Sequence, residues 1–191
     1  MAVITVYLGE LCNNSGLSAA EKSTIQSRLQ AWFTTVCQTT AHTASVVWTS
    51  SAPGAITATD LICYFMPNQS SGILRLAPGY STGAGVSHGF TFLSASANAS
   101  EVYVASCRGN GATWFTELAF HELMHNKLNL GNTGLHSKGG IASATVSGGM
   151  SPSASNITDM RAALGTNQNQ WTGGWAASPC PDPNDPLAGI L

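Results

Sequence analysis

The chain has 191 residues, of which 43% are hydrophobic, so it can form one domain with a sizeable buried core. Only 8% of its residues are charged and its net charge is −2, which argues against nucleic acid or an anionic membrane as a partner. The sequence contains neither an apolar stretch long enough to span a bilayer nor a signal peptide.

The predicted elements begin with a strand over residues 2–8, which are β-branched and apolar. Ser18 and Glu21 form a capping box that opens a helix over about residues 18–39. Two short apolar segments that each stop before a proline predict further strands, at residues 44–49 and 61–66.

The second part of the chain predicts a loop, two strands and two helices. Residues 68–86 are rich in Ser, Gly and Pro and predict a loop, although residues 73–76 are also a candidate short strand. The remaining predicted elements are strands at 88–93 and 101–106, a helix at 113–130 and a last helix at about 156–164. This order predicts an α/β (α+β) fold with one mixed sheet and helices packed against it.

The apolar helix predicted at residues 113–130 carries the sequence His-Glu-Leu-Met-His at positions 121–125. Residues four apart share one face of a helix, so His121 and His125 can bind one metal ion. Glu122 lies about 100° further round the helix, where its carboxylate can reach a water on the metal without being a ligand. Zinc held by neutral imidazoles lowers the pKa of bound water to about 7, and Glu122 can then act as general base.

The alternative is a chance occurrence of this pentapeptide, which is expected in on the order of one chain per hundred or two of this length. The apolar surroundings argue against chance, because two unpaired histidines and a glutamate are costly to bury. The sequence therefore favours a metal site.

A third histidine, His136, follows eleven positions after His125. Thr113 is the predicted N-cap of the motif helix, and Gly131 is predicted to end it. Asn132 and Gly134 are suitable residues for a turn that reverses the chain. The five residues from Gly131 span at most roughly 17 Å, which is ample to bring His136 beside the first two histidines.

These residues resemble the metzincin-type zinc metalloproteases, whose pattern is His-Glu-x-x-His-x-x-Gly-x-x-His. His121, Glu122 and His125 match the pattern, while Gly131 and His136 match it with about five extra residues in the connection. The resemblance implies one catalytic Zn²⁺ bound by the three histidines.

The spacing from His125 to the third histidine departs from that of the family, so other third ligands stay open. Asp159 and His88 are the alternatives to His136. Composition excludes a downstream glutamate, since none occurs after Glu122.

A second family feature is a turn that carries a methionine beneath the metal. Residues 147–152 read Ser-Gly-Gly-Met-Ser-Pro and fit such a turn, with Met150 as its methionine. The alternative is that Met150 only fills a gap in the core. The tyrosine that some metzincins have after this methionine is missing, since none occurs after Tyr103.

The resemblance also implies a metzincin-like fold, with a twisted sheet, two long helices packed on it and an antiparallel edge strand that pairs with substrate. Residues 86–94 are the best candidate for this strand. One catalytic domain is expected over residues 1–191. Its upper subdomain is residues 1–131, and residues 132–191 form a smaller C-terminal subdomain with the methionine turn, a helix and a tail.

The five cysteines are widely spaced and odd in number, so one or two disulfides and buried free thiols are both open: Cys12, Cys37, Cys63, Cys107 and Cys180. Tryptophans in the tail from Trp171 onward are expected to anchor that tail rather than to bind sugar. Because so few residues are charged, we expect a secreted or extracellular protein. The missing signal peptide also leaves open a cytosolic location, export without a cleaved signal, or a signal that has been removed.

The sequence thus predicts a monomeric zinc metalloendopeptidase acting on peptide or protein substrates. Glu122 would take a proton from the metal-bound water and pass it to the leaving amine. Glu117 lies one helical turn before His121 and either accepts a ring proton from it or faces solvent. Two alternatives are a non-catalytic secreted or surface binding domain with a structural or absent metal, and a hydrolase of another amide or ester.

Overall fold

Five strands form one sheet in the computed structural model, which describes residues 2–11, 15–69, 72–74, 77–78, 88–93, 97–166 and 169–176. The strands are β1 (Ala2–Glu10), β2 (His42–Thr49), β3 (Leu61–Met66), β4 (Gly89–Phe92) and β5 (Ala99–Tyr103). Their order across the sheet is β2-β1-β3-β5-β4. Neighbours run parallel, except that β4 lies at the edge and is antiparallel to β5. The predicted mixed sheet is therefore confirmed, and its antiparallel edge strand falls within residues 86–94.

Five α-helices occur in the described part of the chain: α1 (Ala19–Cys37), α2 (Val104–Cys107), α3 (Ala112–Leu128), α4 (Asn132–His136) and α5 (Ala154–Ala162). The long helices α1 and α3 pack against each other, α1 over β2 and α3 over β3, β4 and β5. The predicted capping box at Ser18 and Glu21 is confirmed at the start of α1. None of the described helices is both long and apolar enough to cross a membrane.

The sheet is covered on both faces, and β3 shows how the sequence achieves this. All six of its residues are buried, as expected for an interior strand. Because successive side chains point to opposite faces, alternate residues of β3 enter two cores. The larger core lies between the sheet and the helices and receives Leu61, Cys63 and Phe65. The second core lies on the other face and receives Ile62, Tyr64 and Met66.

The second core is closed by the segment that contains Trp171 and Trp175. Both indole rings pack edge-on against the ring of Tyr64, whose hydroxyl donates to the carbonyl oxygen of Trp171 at 2.7 Å. Trp175 donates its Nε1–H to the carbonyl oxygen of Thr49 at 3.2 Å. These two tryptophans therefore anchor the segment, as predicted. The residues after Ala176 lie outside the described part of the chain.

The strand predicted at 101–106 was wrong at its end, and the candidate short strand at 73–76 is not formed at its described residues. The strand predicted at 101–106 is β5, which ends at Tyr103, because Ala105 donates its N–H to the carbonyl oxygen of Pro67 and the chain turns into α2. Ile73 and Leu74 are not in a strand, since the carboxylate of Glu101 accepts their N–H groups. The rest of that candidate, residues 75–76, lies outside the described residues.

Among the described cysteines, Cys37, Cys63 and Cys107 are buried free thiols. Cys12 and Cys180 lie outside the described residues. The expectation of buried free thiols is therefore met at the three positions that the structure describes.

Candidate metal centre

Helix α3 carries the first two histidines of the site on one face. His121 and His125 are each 5% exposed, and their ring centroids lie 4.9 Å apart. His136, on α4, brings its ring centroid to 5.3 Å from that of His121 and 5.2 Å from that of His125. Each histidine offers one nitrogen, and these ligand atoms all lie within 4.8 Å of one another. The structure therefore brings together three histidines that could hold a metal ion.

Helix α3 differs from the prediction at both its N-terminus and its C-terminus. The helix starts at Ala112 with Gly111 as N-cap, because Gly111 takes a left-handed φ of 79° that favours glycine, and Thr113 is not the cap. The helix ends at Leu128, and its C-cap is Asn129, which has φ 53° and ψ 45° and lies two residues before Gly131. Asparagine is the residue that tolerates this left-handed stop best after glycine.

Because α3 ends before Gly131, the residues that follow it can position the ring of His125. After Asn129, Leu130 folds back so that its N–H donates to the carbonyl oxygen of His125 at 3.1 Å. The carbonyl oxygen of Leu130 lies 2.6 Å from Nδ1 of His125. A carbonyl oxygen only accepts, so Nδ1 carries the proton and Nε2 keeps its lone pair for a metal.

The first histidine is oriented in the same way by a different segment. Nδ1 of His121 donates to the carbonyl oxygen of Ile141 at 2.7 Å. Ile141 belongs to a short 3₁₀ turn at Gly140–Ala142, whose backbone is held by the side chain of Asn156. Backbone carbonyls from two separate segments thus fix both rings of α3 in the tautomer that leaves Nε2 free to bind.

The third histidine is delivered by a helix where a turn was predicted. Asn132 and Gly134 lie inside α4, whose first turn is closed by the N–H of Leu135 donating to the carbonyl oxygen of Gly131 at 3.0 Å. Leu135 is fully buried and anchors α4 in the larger core. His136 follows it directly at the end of the helix. The burial of Leu135 therefore fixes the position of His136 along the axis of α3.

The surroundings of all three histidines favour the neutral form that binds metals. Burial lowers the pKa of His121 to about 4, and the nearby His125 and His136 lower it further against the hydrogen bond to Ile141. Burial also lowers the pKa of His125 and of His136. Neutral imidazole suits zinc, copper, iron and nickel, and a set of three histidines is known from catalytic zinc sites. The donor set therefore fits such a metal ion.

The two alternative third ligands, His88 and Asp159, lie outside the three-histidine cluster. The His88 ring packs edge-on against Trp114, with ring centroids 4.8 Å apart, and lines the same cleft. Asp159 lies on α5 and pairs with Lys138 at 3.0 Å. Neither belongs to the histidine cluster found among the described residues.

Glu122 lies beside the cluster, with its carboxylate between α3 and the edge strand. It is 6% exposed, and its Oε2 accepts a hydrogen bond from the hydroxyl of Thr91 at 2.7 Å. Its Oε1 would lie only 2.8 Å from a Cβ at position 89, so Gly89 leaves the space that the carboxylate occupies. Burial raises the pKa of Glu122 to about 8; the Thr91 hydrogen bond opposes this rise and the charge of Glu101 adds to it.

Glu117 does not have either predicted role. It is fully buried, and its Oε1 accepts the N–H of Gly149 at 2.9 Å and lies 3.7 Å from the guanidinium of Arg28. The proton of His121 Nδ1 goes to Ile141 instead. Glu117 therefore ties the loop after α4 to helices α1 and α3.

That loop contains the predicted methionine turn, residues 147–152. Ser147 donates its N–H to Sδ of Met150 at 3.2 Å, and Gly149 has a left-handed φ of 88° that favours glycine. Met150 is partly buried and packs against the larger core. Its position relative to a bound metal stays a prediction.

A cleft of about 600 Å³ opens onto the cluster. Strand β4 forms one wall, and the other walls come from α3, the start of α4 and residues 144–146. Its apolar lining includes Phe90, Leu93, Trp114, Leu118 and Val146. Glu122 is the one Asp, Glu, Lys or Arg among the described residues that line the cleft.

Sequence reasoning missed the groups that orient the site. Thr91 and Gly89 carried a signal, because the alternation Gly-Phe-Thr-Phe at residues 89–92 puts both on one face of β4. The carbonyl groups of Leu130 and Ile141 could not be found from the sequence, since any residue type supplies a carbonyl oxygen.

No family model, curated protein or solved structure matches the chain. The geometry and chemistry of this cleft are therefore what indicates a function.

Proposed function

We propose that the protein is a zinc-dependent endopeptidase of the metzincin type. The observation that carries the proposal is the position of Glu122, a buried carboxylate that shares one cleft with the three-histidine cluster but is not a member of it. A site that only stabilises the fold needs no such carboxylate.

Zinc bound by His121, His125 and His136 would supply a Lewis acid that lowers the pKa of water and polarises the scissile carbonyl group. Glu122 takes the proton of the attacking water and delivers it to the leaving amine nitrogen. Its raised pKa suits this exchange, because a group that both accepts and donates a proton works best when its pKa lies near the operating pH. Thr91 keeps the carboxylate turned into the cleft.

A peptide substrate is supported by the edge of the sheet. Strand β4 lines the cleft and is the last strand in the sheet order, so an extended peptide can pair with it by β-augmentation. The sequence has no Asp, Glu, Lys or Arg from residue 76 to residue 100. We therefore propose that substrates present uncharged side chains to this wall. The low charged fraction supports an exported protein as part of the same proposal.

The test compares the wild type with Glu122→Gln, which keeps the size of the side chain but removes its basicity. Both proteins are loaded with zinc, their zinc content is measured by mass spectrometry, and their rates of casein degradation are compared. We expect equal zinc content and a loss of rate in Glu122→Gln of at least about a hundredfold. Equal rates in the two proteins would reject the proposal.

The two remaining alternatives give different results. A binding domain with a structural metal would bind zinc, and one without a metal would bind none, but neither would degrade casein in either form. A hydrolase of another amide or ester would degrade no casein either, but would hydrolyse a simple activated ester in the wild type and not in Glu122→Gln.

A further inference from the structure

The carboxylate of Glu122 is held at one oxygen by a hydroxyl whose proton can go to more than one acceptor. Thr91 Oγ1 lies 2.7 Å from Oε2 of Glu122, 2.8 Å from the carbonyl oxygen of Glu122 and 3.1 Å from Oγ of Ser100. A hydroxyl carries one proton, so only one of these oxygens can receive it at a time. Which oxygen receives it decides whether the carboxylate is held.

A chain of hydrogen bonds with defined direction settles the choice, and it begins at a backbone donor. The N–H of Ile62 donates to Oε1 of Gln170 at 3.0 Å. This bond fixes the amide orientation of Gln170, so its Nε2 is the group that donates to Oδ1 of Asn126 at 2.8 Å. The orientation of Asn126 follows, and its Nδ2 faces Oε1 of Gln170 at 3.2 Å and Oγ of Ser100 at 3.5 Å.

The orientation of the Asn126 amide in turn orients the hydroxyl groups of Ser100 and Thr91. Ser100 and Asn126 are both fully buried, so neither amide nor hydroxyl exchanges partners with water. Because Asn126 donates toward Ser100, Oγ of Ser100 is already engaged as an acceptor, and its own proton goes to the carbonyl oxygen of Glu122 or to Oγ1 of Thr91, both at 3.1 Å. The proton of Thr91 then goes to Oε2 of Glu122, which is the nearest of its acceptors and carries charge in the ionised carboxylate.

The register of β4 against β5 explains why the hydroxyls of Thr91 and Ser100 lie close together. Thr91 on β4 is paired directly with Ser100 on β5, so their side chains project from the same face of the sheet toward α3. Asn126 and Glu122 lie one turn apart on α3, and they face this pair. The network therefore joins the sheet, α3 and the segment around Gln170 beneath the cleft.

We propose that Thr91 is the positioning residue for the Glu122 carboxylate, and that Ser100, Asn126 and Gln170 direct the Thr91 proton to it. This inference rests on the proposed function only for its kinetic consequence. Thr91 touches neither substrate nor metal in this role, and it acts through Glu122.

The experiment compares zinc-loaded wild type, Thr91→Val, Thr91→Ser and Ser100→Ala. Valine matches threonine in shape but has no hydroxyl, so we expect kcat for casein peptides to fall on the order of tenfold to a hundredfold, with KM and zinc content unchanged. Thr91→Ser keeps the hydroxyl and should retain most of kcat. Ser100→Ala should lose kcat by a smaller factor, because the Thr91 proton is then shared with the carbonyl oxygen.

A second readout does not depend on activity. Crystal structures of the metal-free wild type and metal-free Thr91→Val should show the Glu122 carboxylate turned away from β4 in the variant alone. A carboxylate in the same position in both structures, or a Thr91→Val protein with the kcat of the wild type, overturns the inference. A zinc-loaded wild type without activity would instead reject the proposed function, while the crystal comparison still decides the role of Thr91.

Discussion

His121 donates its Nδ1–H to the carbonyl oxygen of Ile141 at 2.7 Å, across the gap between α3 and the loop that follows α4. The loop is held in turn by Asn156, whose Oδ1 accepts the N–H of Ile141 and whose Nδ2 donates to the carbonyl oxygen of Gly139, both at 3.2 Å. A residue at the start of α5 therefore holds the turn that orients His121, although it does not touch that histidine.

Asn156→Ala should weaken zinc binding by about tenfold, because the turn that orients His121 loses both of its side-chain hydrogen bonds. The measurement is a competition titration of the metal-free protein against a chromophoric chelator. Ser153→Ala is the control, since it removes the hydroxyl cap of α5 but leaves the bonds of Asn156 to the turn. Equal zinc affinity in the two variants would show that the turn does not act on His121.

His136→Ala should lose most of the bound zinc, because it removes one of the three clustered nitrogens. Asp159→Asn and His88→Phe should keep one zinc per chain, since those residues lie outside the cluster. Metal content after gel filtration, measured by mass spectrometry, separates the three variants. Zinc lost from Asp159→Asn or His88→Phe and kept by His136→Ala would reassign the third ligand.

Gly89→Ala should impair Glu122 without removing the metal. The added Cβ would lie 2.8 Å from Oε1 of Glu122 and 2.9 Å from the carbonyl oxygen of Glu101, and the side chain is the group that can move. We expect casein degradation to fall by about tenfold or more at full zinc content. Gly54→Ala is the matched control, because a Cβ there meets nothing within 4 Å.

The pH dependence of the free energy of unfolding should reveal the ion pair between Glu10 and Lys22, which does not line the cleft. Burial would raise the pKa of Glu10, but hydrogen bonds from Lys22 and Ser15 outweigh it and lower that pKa below its ordinary value. The folded state therefore binds fewer protons than the unfolded state, so this contribution is present above the unfolded pKa of about 4.3 and is lost as the pH falls through the folded pKa.

Glu10→Gln should consequently be less stable than the wild type at pH 7 by about 0.5 to 1 kcal/mol, and the difference should shrink below about pH 4. Urea unfolding followed by circular dichroism at a series of pH values measures it. A difference that grows on acidification would contradict this sign.

Much of the fold could be predicted from local pattern, because the elements are strongly apolar and well capped. The strand at Leu61–Met66 and the capping box at Ser18 were predicted at the residues where they occur. The end of β5 could not be predicted, since it depends on a hydrogen bond from Ala105 to the distant Pro67. The division of the chain at residue 131 stays a prediction.

The site shows the same contrast. Helical spacing predicted that His121 and His125 would share a face, and the cluster with His136 is confirmed as a group that could hold a metal. The role of Glu117 was wrong, because its partner Gly149 lies 32 residues away and only the folded loop reveals it. Long-range backbone contacts of this kind leave no mark in the sequence near either residue.

The central claim is that one zinc ion per chain, held by the three histidines, is required for peptide-bond cleavage. The most direct measurement is the rate of casein degradation by metal-free protein as zinc is added back in fractions of one equivalent. The account predicts a rate that starts near zero, rises in proportion to zinc and stops rising at one equivalent. A rate that is unaffected by zinc, or absent at every ratio, would contradict it.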